Sequence, residues 1–97
     1  MDWSVEWDER AFKELESLDK QAQRNILKFL MKKIQTEEDP RRFGAPLHDD
    51  LAGLWKYRIG DYRLICTIED NKLIILVLKA GHRKNVYKNV ISIRRPD

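Results

Sequence analysis

The chain has 97 residues, 42% of them hydrophobic and 36% charged, with a formal net charge of +3. That length allows one globular domain with a modest core, and the composition excludes a disordered chain. The single Cys66 excludes an internal disulfide, and the sequence shows no signal peptide and no apolar run of bilayer length. We therefore expect residues 1–97 to form a single cytoplasmic domain that has no membrane contact.

The first half of the chain predicts one strand and two helices. Residues 3–7 alternate apolar and polar side chains, as in a short strand. Asp8 and Asp19 are candidate N-caps for two amphipathic helices, the second running from residue 20 to about residue 35. Asp39 precedes a proline and is expected to end the second helix. The helices abut almost without a linker and should form an antiparallel pair on a sheet.

Residues 36–52 are expected to form a loop, and a β-hairpin follows it. Gly60 and Asp61 separate two runs of aromatic and branched side chains, and glycine at the first turn position accepts a positive φ. A two-residue turn sets the register, which places Arg58 opposite Arg63. One face is predicted to be core and the other cationic. The core face carries Trp55, Tyr57, Ile59, Tyr62, Leu64 and Cys66, and the cationic face carries Lys56, Arg58 and Arg63.

A third strand is predicted after a second tight turn at residues 69–72. Residues 73–78 are all apolar, which indicates a strand covered on both faces and therefore inside the sheet. With Asp70 and Asn71 as the turn, Leu78 would lie opposite Arg63 in an antiparallel meander. Residues 81–83 would then emerge beside the hairpin turn, which would place His82 and Arg83 at the same corner as Arg58 and Arg63. The tail, residues 84–97, contains enough apolar side chains for a short helix or for a docked strand, and the pattern does not choose between them.

The cationic face has two interpretations. Like charges directly opposite each other destabilise a sheet by roughly 0.2–1 kcal/mol, so the pairing of Arg58 with Arg63 suggests a functional counter-ion, and phosphate is the natural one. The simpler interpretation is a solvated basic face. Lys28, Lys32 and Lys33 on the second helix are most simply solvated too, with RNA phosphates as the weaker alternative.

Three segments together resemble a known family. They are residues 46–47, residues 53–64 (Gly-Leu-Trp-Lys-Tyr-Arg-Ile-Gly-Asp-Tyr-Arg-Leu), and Gly81-His82-Arg83 followed by Val86-Tyr87. Their order and separation are similar to those of the RelE/ParE toxin superfamily, and of its RelE branch in particular. The resemblance covers nearly the whole chain, including the paired helices.

The resemblance implies an α+β fold, β-α-α-β-β-β, with an antiparallel sheet packed on the N-terminal helix pair. It implies the toxin of a type II toxin–antitoxin system, a ribosome-dependent endoribonuclease that cleaves mRNA in the A site. The expected partners are a RelB-like antitoxin, the ribosome and mRNA. One alternative is a ParE-type toxin that inhibits DNA gyrase and is no nuclease. Another is an inactive homologue that acts as an antitoxin-binding co-repressor.

By position, the resemblance carries the family's functional set onto Lys56, Arg58, Arg63, Arg83 and Tyr87. Guanidinium groups suit the phosphate oxygens, and Lys56 lies near two cations that favour its neutral form, so it is a candidate general base. No carboxylate pair, Cys/His cluster or glycine-rich phosphate loop is found, so we expect no metal and no cofactor.

Histidine and tyrosine side chains near the third strand have two interpretations each. His82 could be the general acid or base, because the reference pKa of histidine lies near neutrality, or it could cap a turn. Tyr87 could stack on a base, or it could pack the tail on the sheet. His48 lies in a loop beside two aspartates and is expected to be structural or exposed.

Overall fold

Two helices pack on one face of a five-stranded sheet in residues 2–87, the part of the chain that this computed structural model describes. The elements are β1 (Ser4–Trp7), α1 (Glu9–Ser17), α2 (Lys20–Phe29), β2 (Gly44–Pro46), β3 (Trp55–Ile59), β4 (Tyr62–Glu69) and β5 (Ile74–His82). The strand order is β1-β5-β4-β3-β2, with β1 parallel to β5 and all other neighbours antiparallel. The predicted α+β fold is confirmed, but the sheet is mixed and not wholly antiparallel as predicted, because β1 runs parallel to β5.

Both helices begin at the predicted caps. The Asp8 carboxylate accepts a hydrogen bond from the Arg10 N–H, and that of Asp19 accepts one from the Ala22 N–H at 2.6 Å. Helix α2 continues as a π-helical turn over Leu30–Ile34. The helix therefore ends close to residue 35, as predicted, while the prediction that Asp39 ends it is wrong. Asp39 instead caps a separate 3₁₀ turn, where its side chain accepts from the Arg41 N–H.

The predicted loop at residues 36–52 contributes a short edge strand. Strand β2 pairs with β3, so that Gly44 faces Tyr57 and Pro46 faces Trp55. A Cβ at Gly44 would collide with the Lys56 carbonyl and the Trp55 indole, so only glycine allows this close approach. The three-residue length and the proline explain why the pattern of the sequence did not reveal the strand.

The β3–β4 hairpin has the predicted register. Gly60 has φ 58°, as the turn requires, and Arg58 faces Arg63 while Ile59 faces Tyr62. All six side chains of the predicted core face contribute to the cluster between sheet and helices. Tyr57, Leu64 and Cys66 are fully buried there, and Trp55, Ile59 and Tyr62 pack against them.

The register between β4 and β5 differs from the prediction. Arg63 faces Gly81, not Leu78. The turn is longer than two residues, because Asp70–Lys72 form a 3₁₀ turn and Leu73 follows with φ 54°. A β-bulge then adds one more residue on β5, since Ile65 faces Lys79 while Cys66 faces Val77.

Strand β5 lies inside the sheet, as its unbroken apolar run predicted. Ile75 and Val77 enter the core on the helix side. Leu78 enters a second buried cluster on the opposite face, together with Leu54, Ile65 and Val86. We call these two sides of the sheet the helix face and the loop face. Within residues 2–87 no helix is both long and apolar enough to cross a membrane.

Candidate active site

Three cations share the loop face of the β3–β4 hairpin. Arg58 and Arg63 are cross-strand partners, and Lys56 lies two residues before Arg58 on the same strand. Directly opposed residues have Cβ atoms about 4.5–5.5 Å apart, so the two guanidinium groups start from adjacent positions. The Arg58 side chain is exposed and those of Lys56 and Arg63 are half-buried. The structure thus brings together three of the predicted site residues on a rigid strand pair.

Arg63 is held in place by the turn that precedes it. Its Nη1 donates to the Gly60 carbonyl at 2.8 Å and to the Tyr62 carbonyl at 2.9 Å. A guanidinium group has five N–H donors, so these two bonds leave the donors on Nε and Nη2 for another acceptor. The side chain is therefore oriented by the backbone before any ligand binds.

Arg83 reaches the same end of the hairpin from β5. Its backbone N–H donates to the Asp61 carbonyl at 2.8 Å, and its Nε lies 3.8 Å from Asp61 Oδ1. Both side chains are more than half exposed, so this ion pair stabilises the fold little. We call Lys56, Arg58, Arg63 and Arg83 the basic corner. From the sequence, Asp61 is recognisable only as a turn residue, and its contact with Arg83 is not.

His82 lies on the other side of the sheet from these cations. It is the cross-strand partner of Tyr62, and the two rings meet edge to face with centroids 5.7 Å apart. Its Nδ1 accepts a hydrogen bond from the Lys84 N–H at 3.1 Å, which is the turn-capping contact of the simpler interpretation. With Nδ1 as acceptor, a neutral His82 carries its proton on Nε2.

Val86 and Tyr87 close the described part of the chain. Val86 is buried on the loop face, where a Cβ added at Gly81 would lie 3.7 Å from its Cβ. The Tyr87 side chain is 40% exposed, so it remains available for contact with a ligand. The predictions for the tail fall largely on residues 88–97, which lie outside the described residues.

The remaining candidates lie elsewhere. Lys33 Nζ lies 5.5 Å from the centroid of the Phe43 ring, while Lys28, Lys32 and His48 are exposed. Among residues 2–87, no group of three or more His, Cys, Asp or Glu side chains is placed to hold a metal ion. The basic corner can therefore offer charge and N–H donors to an anion, which is the chemistry that phosphate requires.

The family model and the relative that match this chain are both described as toxins. Residues 5–87 match the family model described as the ParE toxin of the type II toxin–antitoxin system parDE. The chain is also similar to the toxin RelG of Mycobacterium tuberculosis, with 30% identity over 88 residues that cover 91% of this chain and 99% of that protein.

Solved structures share the fold. The toxin–antitoxin complex RelBE2 of Mycobacterium tuberculosis contains a chain that superposes with a TM-score of 0.78 at 27% identity, covering 88% of this chain and 95% of that one. The archaeal RelE–RelB complex of Pyrococcus horikoshii contains another, with a TM-score of 0.66 at 30% identity, covering 89% and 100%.

Proposed function

This chain belongs to the RelE/ParE family of toxins of type II toxin–antitoxin systems, and we propose that it is an mRNA endoribonuclease of the RelE type. It would cleave mRNA in the A site of the ribosome, in the cytoplasm, and an antitoxin similar to RelB would hold it inactive. The solved relatives RelBE2 and archaeal RelE–RelB are themselves toxin–antitoxin complexes, which supports an antitoxin partner.

The observation that carries this proposal is the opposed pair Arg58 and Arg63 on the loop face. Their pairing costs free energy in the isolated protein, and an anion bound between them would reverse the sign of that contribution. Arg83, which directly follows β5, joins them through the bond from its backbone N–H to the Asp61 carbonyl. Three guanidinium groups on a rigid framework suit the phosphate of an RNA chain.

The proposed reaction needs no metal. The 2′-oxygen attacks the neighbouring phosphorus and loses its proton to a base, while the bond from phosphorus to the 5′-oxygen breaks and that oxygen takes a proton from an acid. The products are a 2′,3′-cyclic phosphate and a 5′-hydroxyl. Negative charge grows on the phosphate oxygens in the transition state, where Arg58, Arg63 and Arg83 would stabilise it.

We propose the base and the acid of this reaction from the positions of their side chains. Lys56 lies on the same face as the paired arginines and is our candidate base for the 2′-hydroxyl. His82 is the candidate acid if its Nε2 proton reaches the leaving oxygen around the end of β5. Its contacts with Tyr62 and Lys84 also suit the turn-capping role. Exposed Tyr87 would stack on a base of the bound mRNA.

Cleavage of mRNA on translating ribosomes tests this proposal. Purified protein is added to a defined translation complex, and primer extension with end analysis identifies the product termini. A 2′,3′-cyclic phosphate with a 5′-hydroxyl is expected, and Arg58→Ala should abolish it while Lys32→Ala, a cation exposed on the second helix, should not. A 3′-hydroxyl product would mean that water is the nucleophile and would overturn the mechanism.

The second candidate is inhibition of DNA gyrase, because the matching family model describes the ParE toxin. That activity would not require the basic corner as a catalytic group. A supercoiling assay with gyrase separates the two: inhibition that persists in Arg58→Ala, without cleavage of mRNA, would favour the ParE-type function. A protein inactive in both assays that still binds its antitoxin would be the co-repressor homologue.

A further inference from the structure

One carboxylate on helix α1 contacts β5, the strand that ends at His82, directly before Arg83. Glu14 Oε2 lies 2.8 Å from Lys79 Nζ, and Glu14 Oε1 accepts a hydrogen bond from the Ala80 N–H at 3.1 Å. The residues are 65 and 66 positions apart in the sequence. Their side chains are partly buried, with 32% of Glu14 and 18% of Lys79 exposed.

This contact lies just past the point where the pairing of β5 with β1 ends. Strand β1 pairs with β5 only as far as Trp7 and Val77, and the chain then turns into α1. The next residues of β5 form the bulge, at which Lys79 faces Ile65. A bulge re-aims the side chains that follow it. Where β1 no longer pairs with β5, the Ala80 N–H needs another hydrogen-bond partner. Glu14 supplies that partner to Ala80 in place of a strand.

The residues after Ala80 belong to the candidate site. Gly81 faces Arg63, His82 faces Tyr62, and Arg83 bonds to the turn at Asp61. A slip of one residue would move each of these side chains to the other face of the sheet. The bulge therefore sets which face His82 and Arg83 occupy, and Glu14 contacts both Lys79 in the bulge and the residue after it.

We infer that Glu14 is a positioning residue for the basic corner, acting through Lys79 and Ala80 on the placement of Arg83. The inference rests on the proposed ribonuclease function and adds to it a residue that is distant in sequence and touches no substrate. Glu14 also neutralises Lys79 by direct contact, so Lys79 adds little to the positive charge of the basic corner.

Two variants of Glu14 separate its contacts. Glu14→Ala removes both the ion pair and the backbone acceptor. Glu14→Gln keeps an oxygen for the Ala80 N–H and removes the charge that faces Lys79. Asp70→Asn is the matched control, because it weakens the Arg41–Asp70 pair, another two-contact ion pair between distant segments, at the turn before the opposite end of β5.

The expected result for cleavage on translating ribosomes is a split between kcat and KM. A displacement of about 1 Å of a catalytic group can cost on the order of 10² in rate, so Glu14→Ala should lower kcat at least about tenfold with KM nearly unchanged. Glu14→Gln should fall between Glu14→Ala and the wild type. Asp70→Asn should keep the wild-type kcat at a temperature well below its Tm.

Amide hydrogen exchange followed by NMR provides a readout that does not depend on activity. Glu14→Ala should accelerate exchange at the Ala80 and Arg83 amides, and Asp70→Asn should leave both unchanged. If Glu14→Ala does not fold, hydrogen exchange and kcat are measured on Glu14→Gln and Lys79→Met instead. They should accelerate exchange at Arg83, and their kcat should be lower than that of Asp70→Asn.

Failure of the inference is distinguishable from failure of the proposed function. If the wild type cleaves mRNA and the Glu14 variants keep its kcat, the inference is overturned while the function stands. If the wild type does not cleave mRNA, the proposed function fails, and hydrogen exchange alone tests the positioning role of Glu14. If the Arg83 amide then exchanges at the same rate in the Glu14 variants as in the wild type, the positioning role is overturned.

Discussion

Arg58 and Arg63 stand directly opposite each other on β3 and β4, on the face of the sheet that does not contact the helices. Neither residue belongs to either buried apolar cluster. Arg63 bonds only to backbone carbonyls of its own turn in the contacts seen among residues 2–87. The pair is thus placed to bind a ligand at little cost to the core.

Arg63→Ala should abolish cleavage and leave the free energy of unfolding within about 1 kcal/mol of the wild type. The substitution removes two partly exposed hydrogen bonds, and it also relieves a like-charge pair worth roughly 0.2–1 kcal/mol. Loss of one donor to a charged transition state typically costs on the order of 10²–10³ in rate. Thermal melts and the ribosome cleavage assay measure the two effects.

Tyr62→Ala is the matched control on the neighbouring position. Tyr62 packs on the core and its ring contacts His82, so we expect the variant to lose about 1–3 kcal/mol of unfolding free energy. If Arg63→Ala melts well below the wild type while Tyr62→Ala does not, the two side chains have been assigned to the wrong faces of the sheet.

Tyr57→Phe should destabilise the domain at neutral pH. The Tyr57 hydroxyl donates to the Pro40 carbonyl at 2.9 Å in a buried environment, and leaving that carbonyl without a partner costs about 1–3 kcal/mol. Urea unfolding of both proteins at pH 7 measures the difference. An unchanged unfolding free energy would mean that water replaces the hydroxyl.

Tyr57 also predicts a change of stability at alkaline pH. Burial raises the pKa of its phenol far above the ordinary value of about 10. The native state therefore keeps a proton that the unfolded chain releases, so the contribution of Tyr57 to stability is constant below about pH 10 and falls as the pH rises further. The unfolding free energy of Tyr57→Phe should therefore fall less above about pH 10 than that of the wild type. An equal fall in both proteins would show that Tyr57 is not its source.

Asp70 should stabilise the protein only above acidic pH. Its two carboxylate oxygens accept from Arg41 at 2.9 and 2.7 Å, and this hydrogen bonding lowers the pKa of Asp70. A lowered pKa gives stabilisation that is present above the unfolded value of about 3.9 and is lost as the pH falls through the folded value.

The size of the Asp70 effect should be small, because both side chains are more than a third exposed. Exposed pairs contribute about 0.2–1 kcal/mol, and salt screens them. The difference in unfolding free energy between the wild type and Asp70→Asn should shrink between pH 5 and pH 2. A difference that stays constant over this range would show that the ion pair is not its source.

Association with the antitoxin should weaken as the salt concentration rises. Residues 20–34, which form α2 and its π-helical turn, carry five cations and no acidic residue, and Leu27 and Met31 among them are 47% and 62% exposed. We expect an acidic or amphipathic segment of the antitoxin to cover either this helix or the basic corner.

Titration of the purified antitoxin at 50 and 500 mM salt measures this effect as a change in Kd. Leu27→Ser serves as the comparison, since it should weaken an apolar contact equally at both concentrations. An equal Kd for the wild type at both concentrations would indicate a purely apolar interface.

The sequence by itself determined the hairpin and the cations that it carries. A two-residue turn beginning with Gly60 permits one register, and the alternation of side chains then assigns Tyr57 to the core and Arg58 to the opposite face. The caps Asp8 and Asp19 were equally visible, because each accepts from an N–H within three residues. These features depend on neighbours along the chain, so a local pattern is enough to predict them.

Only the tertiary structure decided how β5 meets this hairpin. The 3₁₀ turn and the bulge together shift the register, so that Gly81 faces Arg63 and His82 turns to the helix face beside Tyr62. Beyond the end of β1, the Ala80 N–H donates instead to Glu14, 66 residues away in the sequence. No local pattern contains that contact, because packing of α1 against β5 creates it.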